Sequence, residues 1–325
     1  MSSEATGRKL VENEKKNINF SSWTIVFLTL ALFAILSMTR GTFLSFSNIH
    51  SILYDVSINF FAIIGFTLLI ITGELDMSVG SMFGLGGSLL GVFVFTYKLP
   101  SAAAILIAIV IAGAIGAAAG FLITKFKLNS MMVTIGVMMA VKGYNWIMIN
   151  KFSGRQLGLK DRQFISIDIA GIKWTIIAMI IVAIVFEVFL LKSKHLKQLY
   201  CIGNNMDTAI VYGLNAGKIK IVCFSLSAAL SAFGGALMTA RLNHPHVSVG
   251  EGLEVSMITA AVISGASIFG GRGSMIRSML GLLFIAILQN GMTAFNIDSY
   301  IQQVIIGLIL IIAIYADIRM NKKKA

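Results

Sequence analysis

Long apolar stretches separated by short polar segments make up most of this chain. Hydrophobic residues account for 57% of the 325 residues and charged residues for 12%, which lies outside the range of soluble globular domains. The stretches are continuous and about 20 residues long, the length of a membrane-crossing α-helix, whereas barrel strands alternate in polarity over about ten residues. The chain is therefore predicted to be an all-α integral membrane protein. Ten spans are predicted, at residues 22–38, 51–71, 79–97, 101–123, 130–150, 174–191, 219–240, 251–270, 275–295 and 301–317.

The basic residues lie mainly at the ends of these spans, which argues against a nucleic-acid partner for a chain of formal net charge +12. An even number of spans puts both termini on the same side of the membrane. Basic clusters within residues 8–16 and 319–324 predict that this side is cytoplasmic. Cys201 then lies in a cytoplasmic segment, and Cys223 lies within a span.

The tripeptide Ser-Val-Gly occurs at residues 78–80 and again at residues 248–250. If each half of the chain holds five spans, the second half must be inserted upside down relative to the first. The sequence thus predicts two inverted five-helix repeats, residues 22–173 and 174–318, although chance similarity between glycine-rich apolar segments is the alternative. Further glycines follow each tripeptide at matching spacings, at 120 and 136 in the first copy and at 291 and 307 in the second.

Three segments fall outside the predicted spans in this scheme. Residues 1–21 form a cytoplasmic tail, and residues 319–325 form a basic cytoplasmic tail. Residues 192–218 are too many for a simple turn, so we expect short helices there that face a soluble partner. Within them, Gly213 to Lys218 only loosely resemble a phosphate-binding loop, and the chain carries no motif typical of an enzyme active site or a metal site.

The densest polar cluster runs from Thr72 to Ser81, between two apolar spans. Carboxylates are costly in hydrocarbon, so those in this cluster must face protein, water or headgroups. Ser78 is placed to cap the third span, and the segment is equally well read as part of a passage or as a polar turn. The predicted topology puts it on the inner side of the membrane.

The second Ser-Val-Gly copy is followed by Glu251 and so forms an S-x-x-E capping box, which predicts that the eighth span begins there, on the outer side. Residues 244–246 read His-Pro-His, but two histidines without a third ligand are weak support for a metal, so solvated loop residues are expected. The candidate residues for a translocation path or gate are Glu74, Asp76, Ser78, Gly80, Ser248, Gly250 and Glu251.

Lys142 lies well inside the fifth span, and Asp55 enters the second span from the same outer side. A charge within a span nearly always has a partner or an aqueous cavity. We therefore expect Asp55 and Lys142 to form a buried ion pair, directly or through water; a lysine that extends its amine to the membrane surface is the alternative.

Four motifs stand in register along the chain, namely VSINFFAIIGFTLLIITGELDMSVGS (56–81), YCIGNN (200–205), TARL (239–242) and GASIFGGRGS (265–274). Together they resemble the membrane permease of ribose-type ATP-binding-cassette importers. The resemblance implies a bacterial cytoplasmic-membrane subunit that pairs with a second permease subunit, usually identical. It further implies two ATP-binding domains on partner subunits and an extracytoplasmic sugar-binding protein. The partner subunits would bind ATP and Mg²⁺, and this chain is expected to hold no cofactor.

The resemblance also implies a cargo and a coupling segment. The cargo is a monosaccharide, a pentose or a hexose, or, in one branch, the furanosyl signal autoinducer-2. A secondary active carrier is the alternative from another class, although such carriers usually place relay charges near the midplane. The chain departs from the family pattern at Glu74, Asn205 and Lys142, where Gly, Gly and Arg are usual. The residues implied to couple the permease to its ATPase are Tyr200, Ile202, Gly203, Asn204, Asn205, Thr208, Ala209 and Gly213.

Overall fold

The computed structural model describes residues 24–152, 154–158, 160 and 163–322. The predicted N-terminal tail and the last residues of the basic C-terminal tail lie outside this part of the chain. The described helices are α1 (Thr24–Thr39), α2 (Phe46–Ile71), α3 (Val79–Phe95), α4 (Ser101–Phe126), α5 (Ser130–Lys151), α6 (Trp174–Lys192), α7 (Lys194–Asn204), α8 (Met206–Val211), α9 (Ala216–Leu242), α10 (Leu253–Ile263), α11 (Met275–Ala294) and α12 (Ser299–Lys322).

The fold is that of an all-α membrane protein. Within the described residues, seven helices are long and apolar enough to cross a membrane, namely α2, α4, α5, α6, α9, α11 and α12. The helices α1, α3 and α10 are apolar but shorter. Each of these ten helices overlaps one predicted span, and α7 and α8 are the short helices expected between α6 and α9.

The eighth predicted span is where the structure differs most from the sequence-based bounds. It was expected over residues 251–270, but α10 covers only Leu253–Ile263. Gly265, Gly270 and Gly271 all have positive φ angles and turn the chain back on itself. Eleven residues give a helix of about 16 Å, roughly half the thickness of the hydrocarbon core.

The centre of the molecule is formed by α2 and α9, which pack along each other. The helix α9 also packs against α3 and α4, and α2 packs against α6 and α11. Phe60, Phe66, Phe83 and Phe224 are fully buried in this core. The helices approach closely because small residues line their contact: a Cβ added to Gly235 would lie 1.6 Å from the carbonyl oxygen of Phe83.

The remaining helices pack in smaller groups around this centre. The helix α3 packs on α4 and α5, and α10 packs on α11 and α12. The two strands β1 (Asp168–Ile169) and β2 (Ile172–Lys173) form a small antiparallel hairpin between α5 and α6. We call the end of the molecule that carries this hairpin the hairpin end, and the opposite end, which carries α7 and α8, the α7 end.

Candidate translocation site and coupling segment

The two Ser-Val-Gly segments meet in the interior of the protein. A Cβ added to Gly80 would lie 2.3 Å from the carbonyl oxygen of Gly250, and one added to Gly250 would lie 2.1 Å from that of Gly80. The expectation that the segments lie on opposite faces of the membrane is therefore wrong. The physical reason is that the short helices α3 and α10 begin inside the protein, where their N-terminal ends face each other.

Neither predicted helix cap forms through its serine side chain. The helix α10 begins at Leu253, because Gly250 and Gly252 have φ angles of +86° and +71° and turn the chain just before it. Ser248 instead contacts His246 Nδ1 through its Oγ at 2.7 Å, so the predicted capping box is wrong. Ser78 does precede α3, but its hydroxyl makes no cap bond to the helix.

Asp76 anchors the polar segment between α2 and α3. Its side chain is 1% exposed and accepts hydrogen bonds from the Ser78 amide at 2.9 Å, the Ser78 hydroxyl at 2.6 Å and the Ser227 hydroxyl at 3.0 Å. Met77 donates its amide to the Thr134 hydroxyl at 3.0 Å. These bonds tie the segment to α9 and α5, and they give each oxygen of the buried Asp76 carboxyl group a hydrogen-bond partner.

Glu74 forms a buried ion pair that sequence reasoning missed. Its carboxylate accepts a hydrogen bond of 2.5 Å from the Lys220 amine, and the two side chains are 12% and 9% exposed. The same amine lies 3.5 Å from the sulfur of Met206, at the start of α8. Glu74 therefore connects the polar segment to α9 and to the short helices at the α7 end.

The predicted pair between Asp55 and Lys142 is wrong, because each residue has a different partner. Asp55 accepts from Arg241, whose guanidinium lies over the Tyr54 ring. Lys142 donates to Glu251 at 3.3 Å. The packing explains the difference: α5 lies against α3 and α4, whereas the end of α9 returns beside the start of α2. The position of Arg241 in the last turn of α9 was the sequence signal for its pair with Asp55.

A pocket beside the Gly80–Gly250 contact contains the Lys142–Glu251 pair. Glu254, in the first turn of α10, and Asn145, one turn after Lys142, also line it. Asn145 is buried, donates to the Ser81 carbonyl oxygen at 2.9 Å and accepts from the Ser88 hydroxyl at 2.8 Å. Among the residues that the structure describes, no three His, Cys, Asp or Glu residues are placed to hold a metal ion.

At the α7 end, α7 packs between the end of α2 and the loop before α11. A Cβ added to Gly203 would lie 1.9 Å from the carbonyl oxygen of Ile71 and 2.4 Å from the amide of Gly271. Tyr200 donates its hydroxyl to the Gly273 carbonyl oxygen at 2.9 Å. Burial, and to a lesser extent the carboxylate of Glu187, raises the pKa of Tyr200 to about 12, so the donor stays protonated.

Some of the residues assigned to coupling are buried and others are exposed to solvent. Ile202 and Ala209 are buried and pack with Ala216, so they hold the short helices in place. Asn205 caps α8 by accepting a hydrogen bond from the Thr208 amide at 2.9 Å. Four of the predicted residues are exposed, namely Asn204, Asn205, Thr208 and Gly213.

The exposed hydrophobic side chains of this segment were not predicted. Val211 and Tyr212 are 84% and 82% exposed at the end of α8, and Met206 and Ile210 are also exposed. We call Met206, Ile210, Val211 and Tyr212 the α8 surface. An apolar surface of this kind, at the end of a membrane protein, is typical of an interaction site.

Short apolar helices that begin inside a multi-pass membrane protein are typical of transporters. The family described as branched-chain amino acid transport system, permease component, matches residues 48–314, and the chain belongs to this family. The match covers all the motifs on which the resemblance rests, and together with the ribose import permeases described next it confirms that resemblance.

Named relatives are similar over nearly their whole length. The ribose import permease protein of Haemophilus influenzae is 30% identical, with 97% of this chain and 100% of that protein covered. The ribose import permease protein of Bacillus subtilis is also 30% identical, over 90% of this chain and 91% of that protein. The L-arabinose transporter permease protein of Azospirillum brasilense is 29% identical, over 95% and 90%. No solved structure matches this chain.

Proposed function

We propose that this chain is the membrane permease of an ATP-driven importer of a monosaccharide, with a ribose-like pentose or a hexose as cargo. The observation that carries this function is the similarity, over 97% of the chain, to a ribose import permease. Permeases named for L-arabinose and xylose are similar over 95% of the chain each. ATP and Mg²⁺ bind to partner subunits, and a sugar-binding protein delivers the cargo.

The ten apolar helices are arranged, in this proposal, as two inverted repeats of five, residues 22–173 and 174–318, with both termini in the cytoplasm. The packing supports a twofold relation. The helix α3 lies on α4 and α5 as α10 lies on α11 and α12, and α9 packs on α4 as α2 packs on α11. Two residues that a twofold axis relates can touch each other only close to that axis. Gly80 and Gly250 hold equivalent positions in the two repeats and are in contact, as this arrangement requires.

The coupling segment, residues 192–218, is proposed to receive force from the ATPase. The α8 surface would contact the ATPase directly, while Tyr200, Ile202 and Gly203 transmit its movement. Gly203 is enclosed by the end of α2 and the loop before α11, so a displacement of α7 must displace both. These elements lead to the Gly80–Gly250 contact, where the two halves can rock and open the passage to alternate sides.

The second permease subunit is proposed to cover the exposed side of α5 and α12. These two matched helices are the least buried of the seven long ones. A passage between two copies needs only weak affinity for sugar, because the sugar-binding protein provides selectivity.

Reconstitution tests the function. The chain is placed in liposomes with its partner ATPase and sugar-binding protein, and uptake of labelled ribose, arabinose, xylose, autoinducer-2 and leucine is measured with and without ATP. We expect ATP-dependent uptake of a monosaccharide. Uptake by the chain alone would support a secondary carrier, and uptake of leucine in place of sugar would overturn the cargo assignment.

A further inference from the structure

The Lys142–Glu251 pair is exposed on the surface of the protein although Lys142 lies near the middle of a membrane-spanning helix, where contact with lipid would be unfavourable for a charge. Lys142 lies near the middle of α5, 12 residues after Ser130 and nine before Lys151, and the pair's side chains are 51% and 52% exposed. A mid-helix charge that faced hydrocarbon would be strongly unfavourable, so this surface faces water or protein. Lys142 is nine residues from the nearer end of α5, about 13 Å along the helix, which is farther than a lysine side chain reaches.

The chemistry of the pocket suits a neutral solute with many hydroxyl groups. Two carboxylates, Glu251 and Glu254, stand near one amine, Lys142, so the pocket offers strong acceptors and a strong donor at once. Sugar hydroxyls both donate and accept hydrogen bonds and therefore match both kinds of group. Asn145 fixes this wall of the pocket by its bonds to Ser81 and Ser88 on α3.

We infer that Lys142, Glu251 and Glu254 form one wall of the water-filled passage and contact the hydroxyl groups of the passing sugar. This inference rests on the proposed function and assigns the residues that line its path. Lys142 belongs to the first half of the chain, while Glu251 and Glu254 belong to the second. Rocking of the halves about the Gly80–Gly250 contact therefore changes the Lys142–Glu251 distance, and the charged groups exchange their bond to each other for bonds to the solute.

Thiol labelling tests the location of the passage. Lys142→Cys and the matched control Ile147→Cys are made with Cys201 replaced by Ser, in the complete transporter with its ATPase and sugar-binding protein. Ile147 is 59% exposed, but five residues along the helix turn it about 140° away from Lys142. A charged methanethiosulfonate reagent is applied with and without ATP, and the native Cys223 is buried.

We expect labelling at position 142 to be at least tenfold faster than at position 147, and to slow at least threefold while sugar is being transported. Equal labelling at the two positions, or no labelling at position 142 in any state, would overturn the inference. Wild-type sugar uptake, measured in the same liposomes, reports separately on the proposed function.

A charge exchange tests whether the pair itself acts on transport. Lys142→Glu and Glu251→Lys are each expected to lower sugar uptake more than fivefold, and the double exchange is expected to recover at least a third of it. The control Ile181→Ala changes an exposed side chain of α6, outside the pocket and outside the proposed subunit contact, and is expected to retain uptake. Single variants that transport normally at equal membrane levels contradict the inference, as does labelling of position 142 that transported sugar does not slow.

Discussion

Gly80 and Gly250 occupy matching positions in the two halves of the chain and lie backbone against backbone in the interior. This contact places the ends of two short helices inside the protein. The chain there is enclosed on both sides, so neither position has room for a side chain. We expect the contact to be the point about which the halves move.

The first prediction concerns this contact. Gly250→Ala combines a φ of +86° with a Cβ 2.1 Å from the Gly80 carbonyl oxygen, so it should destabilise the fold by about 2 kcal/mol or more. Thermal unfolding in detergent and sugar uptake measure the effect. Gly136→Ala and Gly307→Ala are matched controls, because a Cβ meets nothing within 4 Å at either glycine. Equal loss in all three variants would contradict this explanation.

The second prediction concerns coupling. Gly203→Ala places a Cβ 1.9 Å from the Ile71 carbonyl oxygen and must displace α7 from the end of α2. We expect the variant to lose most sugar-stimulated ATP hydrolysis while remaining in the membrane. Cys201→Ala changes an exposed residue of the same helix and should behave as wild type. Normal stimulation by sugar in Gly203→Ala would remove α7 from the coupling route.

The third prediction concerns the α8 surface. Val211→Asp and Tyr212→Ala change side chains that are mostly exposed, so they should leave the folded permease intact and weaken its binding to the ATPase about tenfold or more. Co-purification of the ATPase from detergent measures the binding. Tyr300→Ala, an equally exposed change at the start of α12, is the control. If the three variants retain the ATPase equally, its contact lies elsewhere.

The fourth prediction concerns the Glu74–Lys220 pair. Glu74→Gln leaves the buried amine of Lys220 without its counter-charge and is expected to destabilise the fold by about 3 kcal/mol. Replacement of both residues by Met removes the charges together and should restore most of the lost stability. Thermal unfolding measures the stability of the single and double variants. A double variant that is less stable than the single one would contradict this pairing.

The fifth prediction concerns topology. Cys201 is exposed on α7, whereas Cys223 is buried in α9. If the α7 end is cytoplasmic, a membrane-impermeant maleimide should label Cys201 in inside-out vesicles and fail to label it in intact cells. The Cys201→Ser variant controls for other thiols. Labelling of Cys201 from outside the cell would reverse the proposed orientation.

The sequence by itself determined the class of protein and the positions of its helices. A continuous apolar run about as long as the bilayer is thick must form a helix, because lipid offers no hydrogen-bond partner and the helix pairs the backbone polar groups with one another. The motifs were sufficient to indicate the permease family. The failed capping box at Ser248 shows the limit of local reasoning: the pattern was present, but Gly250 and Gly252 turned the chain first.

Only the tertiary structure decided which distant residues meet. The partners of Asp55, Lys142 and Glu74 depend on how α2, α5 and α9 pack against one another. That packing cannot be predicted from the number of residues that separate two charges in the sequence. The meeting of Gly80 with Gly250 likewise follows from two helices that begin in the interior. Hydrophobic length is a local property of a chain, whereas ion pairs and close backbone contacts arise from packing between segments that can be 186 residues apart.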